Sequence, residues 1–190
     1  AEACWTASLE TAEEINLKRL IAICCNGLGV IARRNHKPQE ALRYLLRALK
    51  LSQLLGDLSL EAIMLGTLGM VYHDMGQFDE AIDYLQQAAS TSHSTGAVSS
   101  VGLHLGNIGD TLLTQRRYAD ALSYYEEAVS YLRQGTSTYY LCWVLVSYGR
   151  CLFELGRLAE ARTANEEGGR LAVKNGRSFY ELFSLLLVAR

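Results

Sequence analysis

The chain repeats itself every 40 residues, and this period constrains its fold more than any other feature. Gly29, Gly69, Gly109 and Gly149 fall one period apart, as do Ala41, Ala81, Ala121 and Ala161. Ala48, Ala88 and Ala128 keep the spacing, with Gly168 in the fourth place, and Tyr44, Tyr84 and Tyr124 make a further column. Leu28, Leu68, Ile108 and Tyr148 precede the glycines, while Glu40, Glu80, Asp120 and Glu160 precede the alanines. Gly56, Gly96 and Gly176 mark a turn in each unit, with Thr136 in the remaining place. Columns that stay in register without insertion or deletion point to stacked units, each burying its apolar face against its neighbours.

Each unit reads as two helices. The first carries apolar residues at helical spacing, such as Ile63, Leu65, Leu68, Tyr72 and Met75. Short breaks follow at Asn35–Lys37, Gly76–Gln77, Arg116–Arg117 and Gly156–Arg157. The second helix then opens on an acidic residue, which suits the positive end of a helix dipole. Pro38 falls in a first turn, where its missing N–H has no helical partner to lose. It is the single proline of the chain, as long unbroken helices require. Small residues in the Gly29 and Ala41 columns predict close approach of paired helices, because bulkier ones would push the backbones apart. In the fourth unit Asn165 and Gly168 depart from the pattern, so its second helix is expected to be looser.

These columns resemble the tetratricopeptide (TPR) repeat. The second unit matches at Leu65, Leu68, Gly69, Tyr72, Ala81, Leu85 and Ala88, and the third at Leu105, Ile108, Gly109, Ala121, Tyr125 and Ala128. The usual TPR unit has roughly 34 residues, so the extra six lengthen the helices by about 9 Å in total. This longer variety is similar to the units of kinesin light chains, spindle-orientation adaptors and large bacterial regulators. The resemblance implies an all-α fold, a right-handed α-solenoid of antiparallel helix hairpins. One TPR-like solenoid over 1–190 is expected, with full repeats at 16–55, 56–95, 96–135 and 136–175 and half repeats at 1–15 and 176–190. Ala1, Trp5 and Ser8 then occupy second-helix columns. Thr11–Glu14 match a capping box that would start a helix, but the register puts them near a helix end. Phe179–Ala189 is apolar nearly all round, whereas terminal repeats carry a polar outer face. Continuation into a longer parent protein, or burial in an oligomer, is expected there.

Several function classes are disfavoured. A net charge of −2 argues against a general nucleic-acid or membrane-surface binder. No apolar run is long enough to span a membrane. The odd set Cys4, Cys24, Cys25, Cys142 and Cys151 contains no C-x-x-C pair and reads as reduced thiols in a cytoplasmic protein, with Cys24 and Cys25 in the core. His36, His73, His93 and His104 lack metal-ligand spacing and are expected at the surface or in a groove. Gly27–Ala32 fits G-x-G-x-x-A after Leu20–Cys25, a segment that could pass for a strand of a dinucleotide fold. Gly29 belongs to the repeated column, however, so helix packing accounts for it. Glu126 and Glu127 are adjacent on a helix and face different directions, which does not make an acid/base pair. No catalytic cluster, cofactor or metal is therefore expected.

Charge is unevenly spread. Arg33, Arg34, Lys37, Arg43, Arg47 and Lys50 face Glu40 alone, whereas Leu51–Gln115 contains no Lys or Arg but Asp57, Glu61, Asp74, Asp79, Glu80, Asp83 and Asp110. Either neighbouring units pair their charges, or a bipolar surface orients a charged partner.

In TPR solenoids the first helix of each unit lines a concave face that holds peptides. The resemblance carries this role to Ile23, Asn26, Gly27, Val30, Arg33 and Arg34, then to Ile63, Gly66, Thr67, Met70, His73 and Asp74. Leu103, Gly106, Asn107, Asp110, Leu113 and Thr114 follow in the third unit, and Trp143, Val146, Ser147, Arg150, Phe153 and Glu154 in the fourth. An apolar rail of Ile23, Ile63, Leu103, Trp143 and Phe183 beside polar positions suits an amphipathic segment. Gly66 and Gly106 each cost a helix about 1 kcal/mol relative to alanine, a sign of an approaching ligand backbone or of close helix packing. The clamp by which chaperone-type TPRs grip a C-terminal carboxylate is not matched, since Asn26, Val30 and Thr67 stand in its places. The expected function is a protein- or peptide-binding scaffold, the sensor or assembly segment of a larger cytoplasmic, bacterial-type regulator. The alternative is self-association through Phe179–Ala189.

Overall fold

A computed structural model describes residues 2–135 and 138–176, and all regular structure among them is α-helical. The helices are α1 (Glu2–Glu14), α2 (Lys18–Arg34), α3 (Pro38–Leu55), α4 (Leu58–Asp74), α5 (Phe78–Ser94), α6 (Val98–Thr114), α7 (Tyr118–Gln134), α8 (Thr138–Glu154) and α9 (Leu158–Lys174). They form two compact units that divide after Thr95, the first holding α1–α5 and the second α6–α9. Within the units α2/α3, α4/α5, α6/α7 and α8/α9 pack as hairpins. The fold is an all-α helical repeat.

The hairpins close because the chain can turn sharply and then pack tightly. After α4, Gly76 takes a left-handed conformation, and its N–H and that of Gln77 reach the carbonyls of His73 and Tyr72 at 2.9 and 3.0 Å. These bonds occupy carbonyls that the helix end leaves without partners. Asp57 starts α4 by accepting the Leu60 N–H at 3.0 Å, and Arg19 from α2 donates to the same carboxylate at 2.9 Å. Both contacts hold the Asp57 carboxyl below its ordinary range, the backbone bond first.

Close approach follows the glycine column. A Cβ at Gly29 would lie 2.6 Å from Leu45 Cγ, and one at Gly69 would lie 2.7 Å from Leu85 Cγ. Gly109 faces the Tyr125 ring and Gly149 faces Asn165 in the same way. Ala41, Ala48, Ala81, Ala88, Ala121 and Ala128 are wholly buried, so the small columns are the surfaces on which the hairpins meet.

Leu20–Cys25 lies inside continuous α2, with no strand before Gly27. Thr11–Glu14 ends α1, as the register requires. The expected loosening of the second helix in the fourth unit is not seen: α9 is unbroken, because Asn165 is buried against Gly149 and Gly168 lets the helix pack on Val146 and the Cys142 carbonyl. Ala1, Thr136 and Phe179–Ala189 lie outside the described residues. No described helix is long and apolar enough to cross a membrane.

Candidate functional site

In the first unit, α2 and α4 carry the predicted binding positions. Ile23 is half-buried on the core around Cys24, Cys25 and Met64, and Asn26, Val30 and Met70 are also half-buried. Trp5 of α1 covers Gly27. Arg34 is exposed and Ile63 keeps half of its surface in solvent. Arg33 and Asp74 meet at 3.3 Å, joining the ends of the two helices. Burial pushes the neighbouring His73 imidazole below its ordinary pKa, Asp74 opposes that shift, and Arg33 adds to it.

The second unit places its polar positions together more closely. On α6, Leu103 is half-buried, Asn107 is buried, and Asp110 projects toward α7 and α8. Tyr125 of α7 donates its hydroxyl to Asp110 Oδ1 at 2.5 Å. Ser147 of α8 bonds the same carboxyl, and the Arg150 charge lies near enough to act on it. Desolvation nevertheless dominates and lifts the Asp110 pKa to about 6, against the lowering pull of both hydroxyls and of Arg150. Burial, reinforced by the Asp110 charge, drives the Tyr125 phenol upward. Trp143 is half-buried, while Arg150 and Glu154 stand exposed at the end of α8. A Cβ at Gly106 would meet Val144 Cγ2 at 2.7 Å and the Trp143 ring at 3.4 Å, so helix packing accounts for this glycine.

Two members of this region escaped the sequence reading. Tyr125 entered only as a match to the repeat pattern, although a hydroxyl in the column Leu45, Leu85, Tyr125, Asn165 needs a polar partner. His104, expected at the surface or in a groove, is instead buried at 5% exposure, with Nδ1 unpartnered and its pKa lowered to about 4 by desolvation. Its column is Cys24, Met64, His104 and Val144, and the buried apolar character of the other three was the available signal.

Part of the charge asymmetry is pairing between neighbouring repeats, as in Arg33–Asp74, Arg19–Asp57 at 2.9 Å and Arg47–Glu13 at 2.6 Å. Such solvent-facing pairs contribute about 0–1 kcal/mol each. Among the described residues no group of three or more His, Cys, Asp or Glu is placed to hold a metal. Burial raises the thiol pKa of Cys24, of Cys25 and of Cys151, the last to about 11, away from reactive thiolate.

A sequence-family model described as the tetratricopeptide repeat matches residues 21–92 and 100–168. No curated protein matches the sequence. Among solved structures, aspartyl phosphate phosphatase F from Bacillus subtilis superposes with a TM-score of 0.82 at 18% identity, over 87% of this chain and 44% of that one. BtubC (BKLC) from P. vanneervenii gives 0.80 at 17% identity, over 98% and 81%. A Podosopora anserina protein described as a kinesin light chain with nearly identical TPR-like repeats gives 0.68 at 18%, over 87% and 82%. At these identities the likeness shows the fold, and the chain spans less than half of the phosphatase.

Proposed function

The chain belongs to the tetratricopeptide repeat family, and from that premise we propose that it is a protein- or peptide-binding scaffold acting through its first-helix faces. Repeats of this family generally mediate protein–protein interaction, and the fold is typically a non-enzymatic scaffold. The observation that carries the reading is the convergence of Asp110, Ser147 and Arg150 beside half-buried Trp143. Val30 and Met70 hold the Asp110 position in the preceding repeats, so packing alone does not call for a carboxylate there. A half-buried tryptophan next to fixed polar groups supplies an anchor and a register for an amphipathic segment. The match to part of a larger bacterial phosphatase supports a further step, that the chain is the sensor or assembly segment of a longer cytoplasmic regulator.

The test is selection of binding peptides from a displayed library, followed by affinity measurement on Trp143→Ala and Arg150→Glu. Both substitutions are expected to weaken binding about tenfold or more with helical circular dichroism unchanged. Unchanged affinity in both would move the site off this face. The apolar sequence Phe179–Ala189 favours a second reading, self-association, which light scattering across a concentration series separates from the first.

A further inference from the structure

In the first unit the groove between α3 and α5, floored by α4, is filled from within. Tyr84 stacks on Tyr72 with ring centroids 5.1 Å apart and planes 9° from parallel. Leu49 and Met75 pack with it against Leu68 and Val71. The corresponding groove in the second unit runs between α7 and α9 over α8, and there the filling side chains are shorter. Ala164 stands in the column of Tyr44, Tyr84 and Tyr124, and Val129 in the column of Leu49. A cleft of about 380 Å³ remains, floored by Leu145, Tyr148 and Leu152.

Its rim is charged. Arg133 is held by Glu167 at 2.8 Å. At the other end Glu126 and Glu160 share one guanidinium, that of Arg157, at 4.0 and 2.6 Å. That end therefore carries one more carboxylate than cation, and Glu126 and Glu160 both act to raise the Tyr148 phenol, behind the larger effect of burial. At 3.6 residues per turn, Leu145, Tyr148 and Leu152 lie on the opposite side of α8 from Trp143, Ser147 and Arg150. The cleft is thus separate from the first-helix face.

We propose that this cleft docks a tyrosine side chain of a partner peptide in which lysine or arginine flanks the tyrosine. The ring takes the place that Tyr84 fills in the first unit, and the cation sits beside Glu126 and Glu160. The volume, at the low end of the roughly 300–1,000 Å³ of ligand pockets, suits one aromatic side chain and not a whole helix. Aromatic residues are the side chains that gain most from such a recess, since each buries about 150–250 Å². Two carboxylates sharing one cation favour a basic flank by complementary potential.

Methyl-labelled protein titrated with the amides of Lys-Tyr-Lys, Gly-Tyr-Gly and Lys-Gly-Lys tests this. Saturable shifts at Val129, Leu145 and Leu152 are expected with Lys-Tyr-Lys. Binding should be about threefold or more tighter than for Gly-Tyr-Gly at low salt, with the gap closing at about 0.5 M salt. Lys-Gly-Lys should leave these methyls unmoved. Ala164→Tyr, or the smaller Ala164→Leu, should abolish the shifts with helicity retained, and Glu160→Gln should remove the preference for lysine while keeping Gly-Tyr-Gly binding. Absence of saturable shifts, undiminished binding in both Ala164 variants, or equal binding of Lys-Gly-Lys would each overturn the proposal. Ligands selected on the first-helix face should still bind the Ala164 variants, so the two sites fail independently.

Discussion

Met64, Met70 and Leu85 in the first unit stand one period before His104, Asp110 and Tyr125 in the second. Met64 and Leu85 are wholly buried and ask only for shape from their neighbours. The second set puts an imidazole, a carboxyl and a phenol into the same positions. Tyr125 is as buried as Leu85 because its hydroxyl finds Asp110, whereas His104 has no such partner at Nδ1 and is held neutral. The grooves differ in a parallel way, filled by Tyr84 in one unit and left open at Ala164 in the other. At these positions one repeat backbone thus carries apolar side chains and a filled groove in the first unit, and ionisable side chains and an open groove in the second. The surplus chemistry of the second unit is where binding is best sought.

The groove comparison carries the largest expected effect. Tyr84→Ala should open in the first unit the space that Ala164 leaves in the second, at a loss of about 3 kcal/mol in denaturant unfolding. A loss below about 1 kcal/mol would break the equivalence of the two grooves.

Next comes the core pair. Tyr125→Phe should destabilise by about 2 kcal/mol, because Asp110 keeps its place between the helices and loses one of its two hydroxyl donors, leaving Ser147. Asp110→Met with Tyr125→Leu writes the Met70/Leu85 pair of the second repeat into the third, and should cost less than Tyr125→Phe alone, since no buried carboxyl is left short of a donor. A double variant less stable than Tyr125→Phe would mean that the phenol matters for its volume and not for its bond.

The smallest effect lies in the pH dependence. The folded Asp110 pKa of about 6 exceeds its ordinary 3.8, so its contribution to stability is present below about pH 4 and lost as pH rises through 6. His104 acts in the opposite sense: folded at about 4 against an ordinary 6.5, it contributes above pH 6.5 and loses that as pH falls through 4. The slopes nearly cancel in the intact protein. His104→Met should expose the Asp110 slope, with stability falling as pH rises across this window, and Asp110→Asn should reverse the sign. Unfolding curves at several pH values check both, and slopes of one sign in the two variants would show that one of these groups is not titrating in the fold.

Much of the fold was legible in the sequence. The breaks at Gly76–Gln77 and Gly156–Arg157 fall between helices as read, and Gly29, Gly69, Gly109 and Gly149 mark where hairpin partners touch. A strand-like segment at Leu20–Cys25 and a helix start at Thr11 were both set aside by register, and α2 and α1 run accordingly. The site was less legible. Asp110, Ser147 and Arg150 could be assigned to one face, but their meeting at a carboxyl bonded by Tyr125 could not. His104 was misplaced because its residue type outweighed its column. The missing fourth tyrosine was visible as a gap in a column, yet not as a cleft.

The division has a physical cause. Apolar periodicity reports which side of a helix is buried, and a strict 40-residue period repeats that information until helix bounds, turns and small-residue contacts follow from the sequence alone. Whether a buried hydroxyl reaches a carboxyl, whether Arg33 finds Asp74, and whether Ala164 leaves a hole or a neighbour fills it depend on side chains from two or three helices within a few ångströms of one another. Those contacts are set by how the helices pack, and only the tertiary structure decided them.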